Sequence, residues 1–290
     1  MSQVLEELLS LLSLERLEEG LFRGQSQDLG FGHVFGGQVM GQALSAAKQT
    51  IQTNRRVHSL HSYFLRAGDE NLPIIYDVEI IRDGGSFSAR RVKAIQKGHP
   101  IFYMTCSFQA PEIGFEHQDQ MPNVALPETL LNQQALALQL KDKLPQSVFD
   151  NLMSESPLEM RLVDPMNDMT SGIKPAKRYV WLRANGKMQG DPCMQDYLLA
   201  YASDFNFLVT ALQPHGKSFL TPGMKMATID HAMWFHRPFD LSDWVLYSVD
   251  SPNACGGRGL VKGQFFNQQG ELLASATQEG LLRMKLKSPE

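Results

Sequence analysis

The chain has little cysteine: Cys106, Cys193 and Cys255 are its only three in 290 residues. They are far apart and odd in number, which excludes a disulfide framework and a cysteine-based metal site and fits a reducing compartment. No run approaches the ~20 apolar residues of a membrane span, so no stable membrane insertion is expected. The first residues show no basic start followed by an apolar core, so no signal peptide is expected. The last four, Lys287-Ser288-Pro289-Glu290, carry no peroxisomal tripeptide, and a cytoplasmic location is the simplest expectation. Positive charge is not in excess either. Lys and Arg number 27 against 31 Asp and Glu, for a net charge of -4. Nucleic acid is therefore excluded as the main partner, because phosphate binding needs clustered positive charge.

Several catalytic signatures are also missing. Nucleophilic serine on a strand-to-helix elbow needs Gly-x-Ser-x-Gly, and the chain has none. Gly216-Lys217-Ser218 resembles the end of a phosphate loop, but Ala211 stands where the earlier glycine is required. Gly30-x-Gly32 lacks its third glycine, because Phe35 stands there. His58 and His61 are three apart on a predicted strand, so they should point to opposite faces, and His231 and His236 are five apart with the same consequence. A structural or solvated role is the expectation for each histidine. Neither a metal nor a cofactor is expected.

What the chain does have is an internal repeat. One stretch runs from His58-Ser59-Leu60-His61-Ser62-Tyr63-Phe64 through Tyr76-Asp77-Val78-Glu79 to the segment after Gly98. Another runs from Thr228-Ile229-Asp230-His231-Ala232-Met233-Trp234 through Tyr247-Ser248-Val249-Asp250 to the segment after Gly270. The offset is about 170 residues throughout, and a repeat fixes the architecture before any motif is read. Thr228 and Gln278 then fall opposite His58 and Cys106, so the halves are not chemically equivalent. With 43% hydrophobic and 20% charged residues, each half can bury an ordinary globular core. The expected organisation is an N-terminal unit over residues 1–112, a linker over 113–157 and a C-terminal unit over 158–290.

Periodicity fills in the elements. Leu5, Leu8, Leu9 and Leu12 predict an amphipathic helix at the start. A loop is expected over 20–32. Gly36-Gly37 opens a helix over 38–50 whose residues are small, and Gly41 inside it costs about 1 kcal/mol against alanine, which close approach to a sheet should offset. Strands are expected over 57–64, 74–82, 86–96 and 101–109, with turn chemistry between them. Short connections imply antiparallel pairing. The linker carries Pro122, Pro127, Pro145 and Pro157 and a Leu- and Gln-rich stretch, 130–144, that predicts a helix. The second unit should start with a strand over 177–184. A long buried helix over 197–212 follows, then strands near 226–237, 244–250, 259–267 and 272–282. Each unit thus reads as one central helix with an antiparallel sheet that must cover its own apolar face.

Asp204 is the residue that fits worst. It lies inside Leu198-Leu199-Ala200-Tyr201-Ala202-Ser203-Asp204-Phe205-Asn206-Phe207-Leu208, and burying a carboxylate requires a partner or a raised pKa. Thr228 at a strand start and Gln278 late in the last strand look ordinary alone. Together an acid, a hydroxyl and an amide in one unit could hold a water. Basic residues gather over 86–97, where Arg90 and Arg91 stand, and Arg258 and Lys262 occupy the related place in the second half. Solvated strand faces are one reading of them, and a site for a small phosphorylated ligand is another.

These residues make the chain recognisable. It closely resembles the acyl-CoA thioesterase II family over nearly its whole length. The resemblance is carried by Val34-Phe35-Gly36-Gly37-Gln38, His58-Ser59-Leu60-His61-Ser62-Tyr63-Phe64-Leu65, Phe87-Ser88-Ala89-Arg90-Arg91-Val92, Tyr201-Ala202-Ser203-Asp204, Ile229-Asp230-His231-Ala232-Met233-Trp234-Phe235-His236 and Ala276-Thr277-Gln278-Glu279-Gly280. Six stretches in order are specific where any one would be weak. Cys255-Gly256-Gly257 departs from the family's usual small residues. The resemblance implies an α+β double hotdog, two antiparallel sheets each curled around a central helix. It implies hydrolysis of acyl-CoA to a fatty acid and CoA, with Asp204, Thr228 and Gln278 as the catalytic set. In that reading Asp204 takes a proton from water that Thr228 and Gln278 hold, and no covalent intermediate forms. The CoA phosphates would use Arg90, Arg91, Arg258 or Lys262. Met233, Phe235 and the central helix would line an acyl tunnel, and the protein would be a homodimer or homotetramer. The same fold serves enoyl-CoA hydratases and dehydratases with an Asp and His pair, for which Asp230-His231 is the candidate. A non-catalytic acyl-CoA binding module is the other alternative.

Overall fold

The computed structural model describes residues 2–284 apart from 31, 52–53, 166–171, 189 and 206. The C-terminal tripeptide considered above lies outside the described residues. The chain opens with α1 (Gln3–Leu12), which Ser2 caps by accepting from the Leu5 N–H at 3.3 Å and which buries Leu5, Leu8 and Leu12. Two short strands follow, β1 (Glu15–Glu18) and β2 (Leu21–Gly24), the second where a loop was expected over 20–32. Then come α2 (Gly36–Gln49) and four strands, β3 (Arg56–Phe64), β4 (Ile74–Asp83), β5 (Phe87–Gln96) and β6 (His99–Gln109). The linker holds α3 (Gln133–Gln139) and α4 (Gln146–Met153) in place of one helix, and Pro145 stands at the N-cap position of α4. The second half holds β7 (Leu158–Leu162), β8 (Lys177–Ala184), α5 (Cys193–Ser203), a 3-10 helix (Leu208–His215), β9 (Met224–Phe235), β10 (Val245–Cys255), β11 (Arg258–Asn267) and β12 (Leu272–Met284). The β10–β11 hairpin turns on Gly256 and Gly257, at φ +57° and +74°, a left-handed pair that glycine adopts without strain.

Two expectations change. The two separate sheets are one: twelve antiparallel strands among the described residues, in the order β1-β2-β4-β5-β6-β3-β9-β12-β11-β10-β8-β7. The halves join where β3 meets β9, from Ser59 opposite Trp234 to Tyr63 opposite Asp230. This pairing leaves neither strand an open edge. The long central helix of the second half is also not continuous, because α5 stops at Ser203 and the chain resumes helical turns at Leu208.

α2 packs on β2–β6 and, on its other side, against α5. A Cβ on Gly41 would lie 2.9 Å from the Tyr197 carbonyl oxygen and 2.9 Å from a Leu12 methyl. The glycine therefore permits helix-to-helix approach, not the helix-to-sheet approach expected from the sequence. Arg56 of β3 adds an ion pair to buried Asp196 of α5 at 2.6 Å. On the sheet's far side Trp181, Leu246 and Phe266 alternate with core-facing Val180, Val245 and Phe265. Met121, Val124 and Leu130 of the linker cover them, and the Trp181 indole donates to the Ala125 carbonyl at 2.9 Å.

Candidate active site

Asp204 is the residue at which α5 ends. Its carboxylate turns toward the first turn of α2, where the Gly37 N–H donates to it. A Cβ on Gly36 would lie 2.6 Å from Asp204 Oδ2 and 2.9 Å from the Phe64 ring, so only glycine allows the approach. The start of a helix presents unpaired N–H groups and partial positive charge. A carboxylate from one half is thus received by a helix N-terminus from the other.

Thr228 and His231 both reach this place although they are three apart on β9. Simple alternation would send them to opposite faces. A β-bulge resolves the conflict: Asp230 pairs with Glu279 and Thr228 with Gly280, so Ile229 is extra and the alternation resets. The side chains then form a continuous hydrogen-bond chain. Thr228 Oγ1 donates to Asp204 Oδ1 at 3.3 Å. Gln278 Nε2 donates to Thr228 Oγ1 at 2.8 Å. Gln278 Oε1 lies 2.7 Å from His231 Nδ1, and His231 Nε2 lies 3.0 Å from Ser203 Oγ. Tyr247 donates to the Ser203 carbonyl at 2.9 Å and holds the end of α5. Gln278 and His231 are fully buried, at 1% and 0% exposed.

Burial sets the electrostatics. It pushes the Asp204 carboxyl up to about 7, against the opposing effect of hydrogen bonds from Thr228, Gly37 and Gln278. Burial pushes His231 down to about 4, with Gln278 acting weakly the other way. At neutral pH the site therefore holds a neutral imidazole and a carboxylate close to its own titration point. Phe35, Tyr201 and Phe205 pack beside it, with ring centroids 4.5–5.3 Å apart. Such surroundings suit a carboxyl that must act as a base near neutrality.

The other half carries the same scaffold without this chemistry. β3 has its bulge at His58, between the pairs Val57–Phe108 and Ser59–Ser107. Aligning the two bulges sets Thr228 opposite Val57, not His58 as the sequence offset suggested. It sets His231 opposite Leu60 and keeps Gln278 opposite Cys106. Cys106 is buried and its thiol is pushed up to about 12, so it is no nucleophile. Thr50 ends α2 as Asp204 ends α5.

The basic residues are not gathered at the site. Arg90 is 1% exposed, and its guanidinium donates to Thr50, to Asp83 and to the carbonyls of Arg82 and Ala89. It braces the β4–β5 turn and leaves no free face for a phosphate. It also borders a cleft of about 410 Å³ at the far end of α2, away from Asp204. Arg91 pairs with Glu79 and Arg258 with Glu279, both pairs near the surface, and Lys262 is exposed. Met233 and Phe235 are core residues, 0% and 6% exposed. Asp230 does not meet His231; it accepts from the Glu279 N–H at 2.9 Å. The sequence reading missed two members of the site, the Gly37 N–H and His231. The contrast of His231 with Leu60 emerges only when the two bulges are aligned, because the sequence offset sets His231 opposite His61. Among the described residues no cluster of His, Cys, Asp and Glu could hold a metal, and no helix is long and apolar enough to cross a membrane.

The chain is similar to known proteins in both halves. The acyl-CoA thioesterase family matches residues 152–281, and the acyl-CoA thioesterase N-terminal domain matches 25–109. Acyl-CoA thioesterase 2 of Haemophilus influenzae is 51% identical over 284 residues, covering 98% of this chain and 99% of that protein. The crystal structure of an acyl-CoA thioesterase II from Mycobacterium marinum is 36% identical with a TM-score of 0.77, covering 96% of this chain and 98% of that one. A protein from Alicyclobacillus acidocaldarius described as having a hot dog fold is 17% identical, with a TM-score of 0.78 over 97% of this chain and 99% of that one. The fold is that of the hotdog proteins.

Proposed function

The chain belongs to the acyl-CoA thioesterase II family, and from that premise we propose how its residues carry out thioester hydrolysis. It hydrolyses acyl-CoA to a carboxylic acid and CoA. Asp204 is the general base, and Thr228 and Gln278 hold the attacking water. The observation that supports this most is the hydrogen-bond chain from Gln278 through Thr228 to a carboxyl poised near neutrality.

Water sits against Asp204, gives it a proton and attacks the thioester carbonyl. A well-placed base contributes about 10²- to 10⁴-fold, and holding the water in line adds the benefit of orientation. Charge developing on the carbonyl oxygen is met by the partial positive charge at the start of α2. Collapse of the tetrahedral species expels the CoA thiolate, which takes up a proton, and Asp204 returns its own to solvent. The acyl chain enters beside Phe35, Phe64 and Phe205. Exposed cations, Arg91, Arg258 and Lys262, are the candidates for the CoA phosphates. We read residues 1–112 and 158–290 as two hotdog units, each with its own central helix, joined by 113–157, and the chain as a cytoplasmic homodimer or homotetramer.

The test is release of free thiol from acyl-CoAs of short to long chain, with the natural protein and Asp204→Asn side by side. Turnover that falls by at least about 10²-fold in the variant supports the base. Equal turnover in both removes Asp204 from that role. Enoyl-CoA consumption without thiol release supports the hydratase reading instead, and saturable binding without turnover supports a binding module.

A further inference from the structure

We infer that His231 is a positioning residue of this site: its Nδ1–H tautomer fixes the Gln278 amide and thereby the direction of every side-chain donor that reaches Asp204. This inference rests on the proposed roles of Asp204, Thr228 and Gln278.

An ionised carboxylate only accepts hydrogen bonds. Thr228 must then give its single hydroxyl proton to Asp204, 3.3 Å away. Having given it, Thr228 Oγ1 accepts from Gln278, so the amide N–H, not the amide oxygen, faces it at 2.8 Å. The Gln278 oxygen is left facing His231 Nδ1 at 2.7 Å. A bare nitrogen there would set two lone pairs against each other in a buried place. Nδ1 therefore carries the proton, and Nε2 faces the Ser203 hydroxyl at 3.0 Å, which also donates to the Ala200 carbonyl at 2.8 Å.

The opposite tautomer would turn the chain around. With the proton on Nε2, Gln278 would flip its N–H toward His231 and present its oxygen to Thr228. Thr228 would then donate to the amide, and Asp204 would lose that donor. His231 is thus the residue that decides which way the chain points.

Two further observations agree. The backbone of His231 is clamped by Ser62 Oγ of the other half, which donates to its carbonyl at 2.8 Å. In the half without the polar chain, the bulge alignment sets Leu60, Val57 and Cys106 where His231, Thr228 and Gln278 stand. The imidazole is absent where the hydroxyl and amide are absent, though the scaffold persists.

The experiment compares kcat, KM and melting temperature for acyl-CoA hydrolysis by the full-length protein and His231→Leu, His231→Asn, His231→Gln and Asp204→Asn. Asparagine places an N–H where histidine has Nδ1, whereas glutamine reaches the Nε2 position and leaves the Gln278 oxygen without its donor. Expected is a kcat loss of about 10²-fold for His231→Leu and His231→Gln with little change in KM, and recovery of most of it in His231→Asn. A fold-level role would instead track melting temperature and make Asn and Gln alike. Equal kcat in Asn and Gln, or wild-type kcat in Leu, overturns the inference. If the Leu variant fails to fold, the Asn and Gln pair decides alone. Unchanged turnover in Asp204→Asn overturns the base assignment and this inference with it. Collapse there with an intact His231→Leu overturns only this inference.

Discussion

Asp204 is held between opposing influences. Its surroundings of Phe35, Tyr201 and Phe205 disfavour charge, while the Gly37 N–H, Thr228 and Gln278 favour it, and burial prevails to leave the carboxyl at about 7. A carboxylate with a raised pKa is protonated, and useless as a base, below that value. Hydrolysis should therefore rise with pH as kcat/KM and level off above an apparent pKa near 7. His231, pushed down to about 4, adds no limb in the neutral range. A pH–rate profile checks this, and a flat profile from about pH 5 to 9 would contradict it. The same shift acts on folding. Asp204 binds its proton more tightly folded than unfolded, so its contribution is full below the unfolded value of about 3.9 and is lost as pH rises through about 7. Asp204 was legible because a carboxylate inside an apolar run is conspicuous. His231 was not, because its role depends on which ring nitrogen faces an amide 47 residues away.

At the scale of elements, the site is made by a helix that stops and a strand that bulges. α5 ends at Ser203, which frees Asp204 to turn toward α2. β9 inserts Ile229, which brings Thr228 round to His231's face. Neither event has a local signature: the apolar run continues past Asp204, and β-branched Thr228 and Ile229 at the bulge read as ordinary strand residues. Hydrophobic periodicity alone therefore extended the helix through 204 and kept strict alternation on the strand. The small residues of α2 announced a close approach but not its partner, which is α5 and not the sheet. It yields a prediction for Gly41→Ala. Helix propensity alone would favour alanine by about 1 kcal/mol. The new Cβ, however, would lie 2.9 Å from a backbone carbonyl that cannot give way easily. The expected result is a net loss of about 1–3 kcal/mol by urea denaturation; a gain would show that the helices can separate without cost.

For the whole molecule, the repeat predicted two like units, and each half contributes six strands to the sheet among the described residues. That two such units would cover each other's open edges was foreseeable; which strands meet was not, because β3 and β9 are distant in sequence and either alone reads as an ordinary edge. That joint makes the halves interdependent. The C-terminal half holds Asp204, Thr228, His231 and Gln278, while the N-terminal half supplies Gly36, the Gly37 N–H and Ser62. A fragment of residues 113–290 should thus contain the whole polar chain and still show no thiol release, with activity returning when residues 1–112 are supplied in trans. Full activity in the fragment alone would mean that the N-terminal half contributes nothing to the chemistry.

The central claim is that water, activated by Asp204, attacks the thioester directly. Its most direct test is a single turnover of acyl-CoA by excess enzyme in ¹⁸O-water, with mass analysis of the acid and of the Asp204 peptide. Direct attack places one solvent oxygen in the acid and none in Asp204. An unlabelled acid with the label in Asp204 would mean that the carboxylate itself attacked, and would contradict the account.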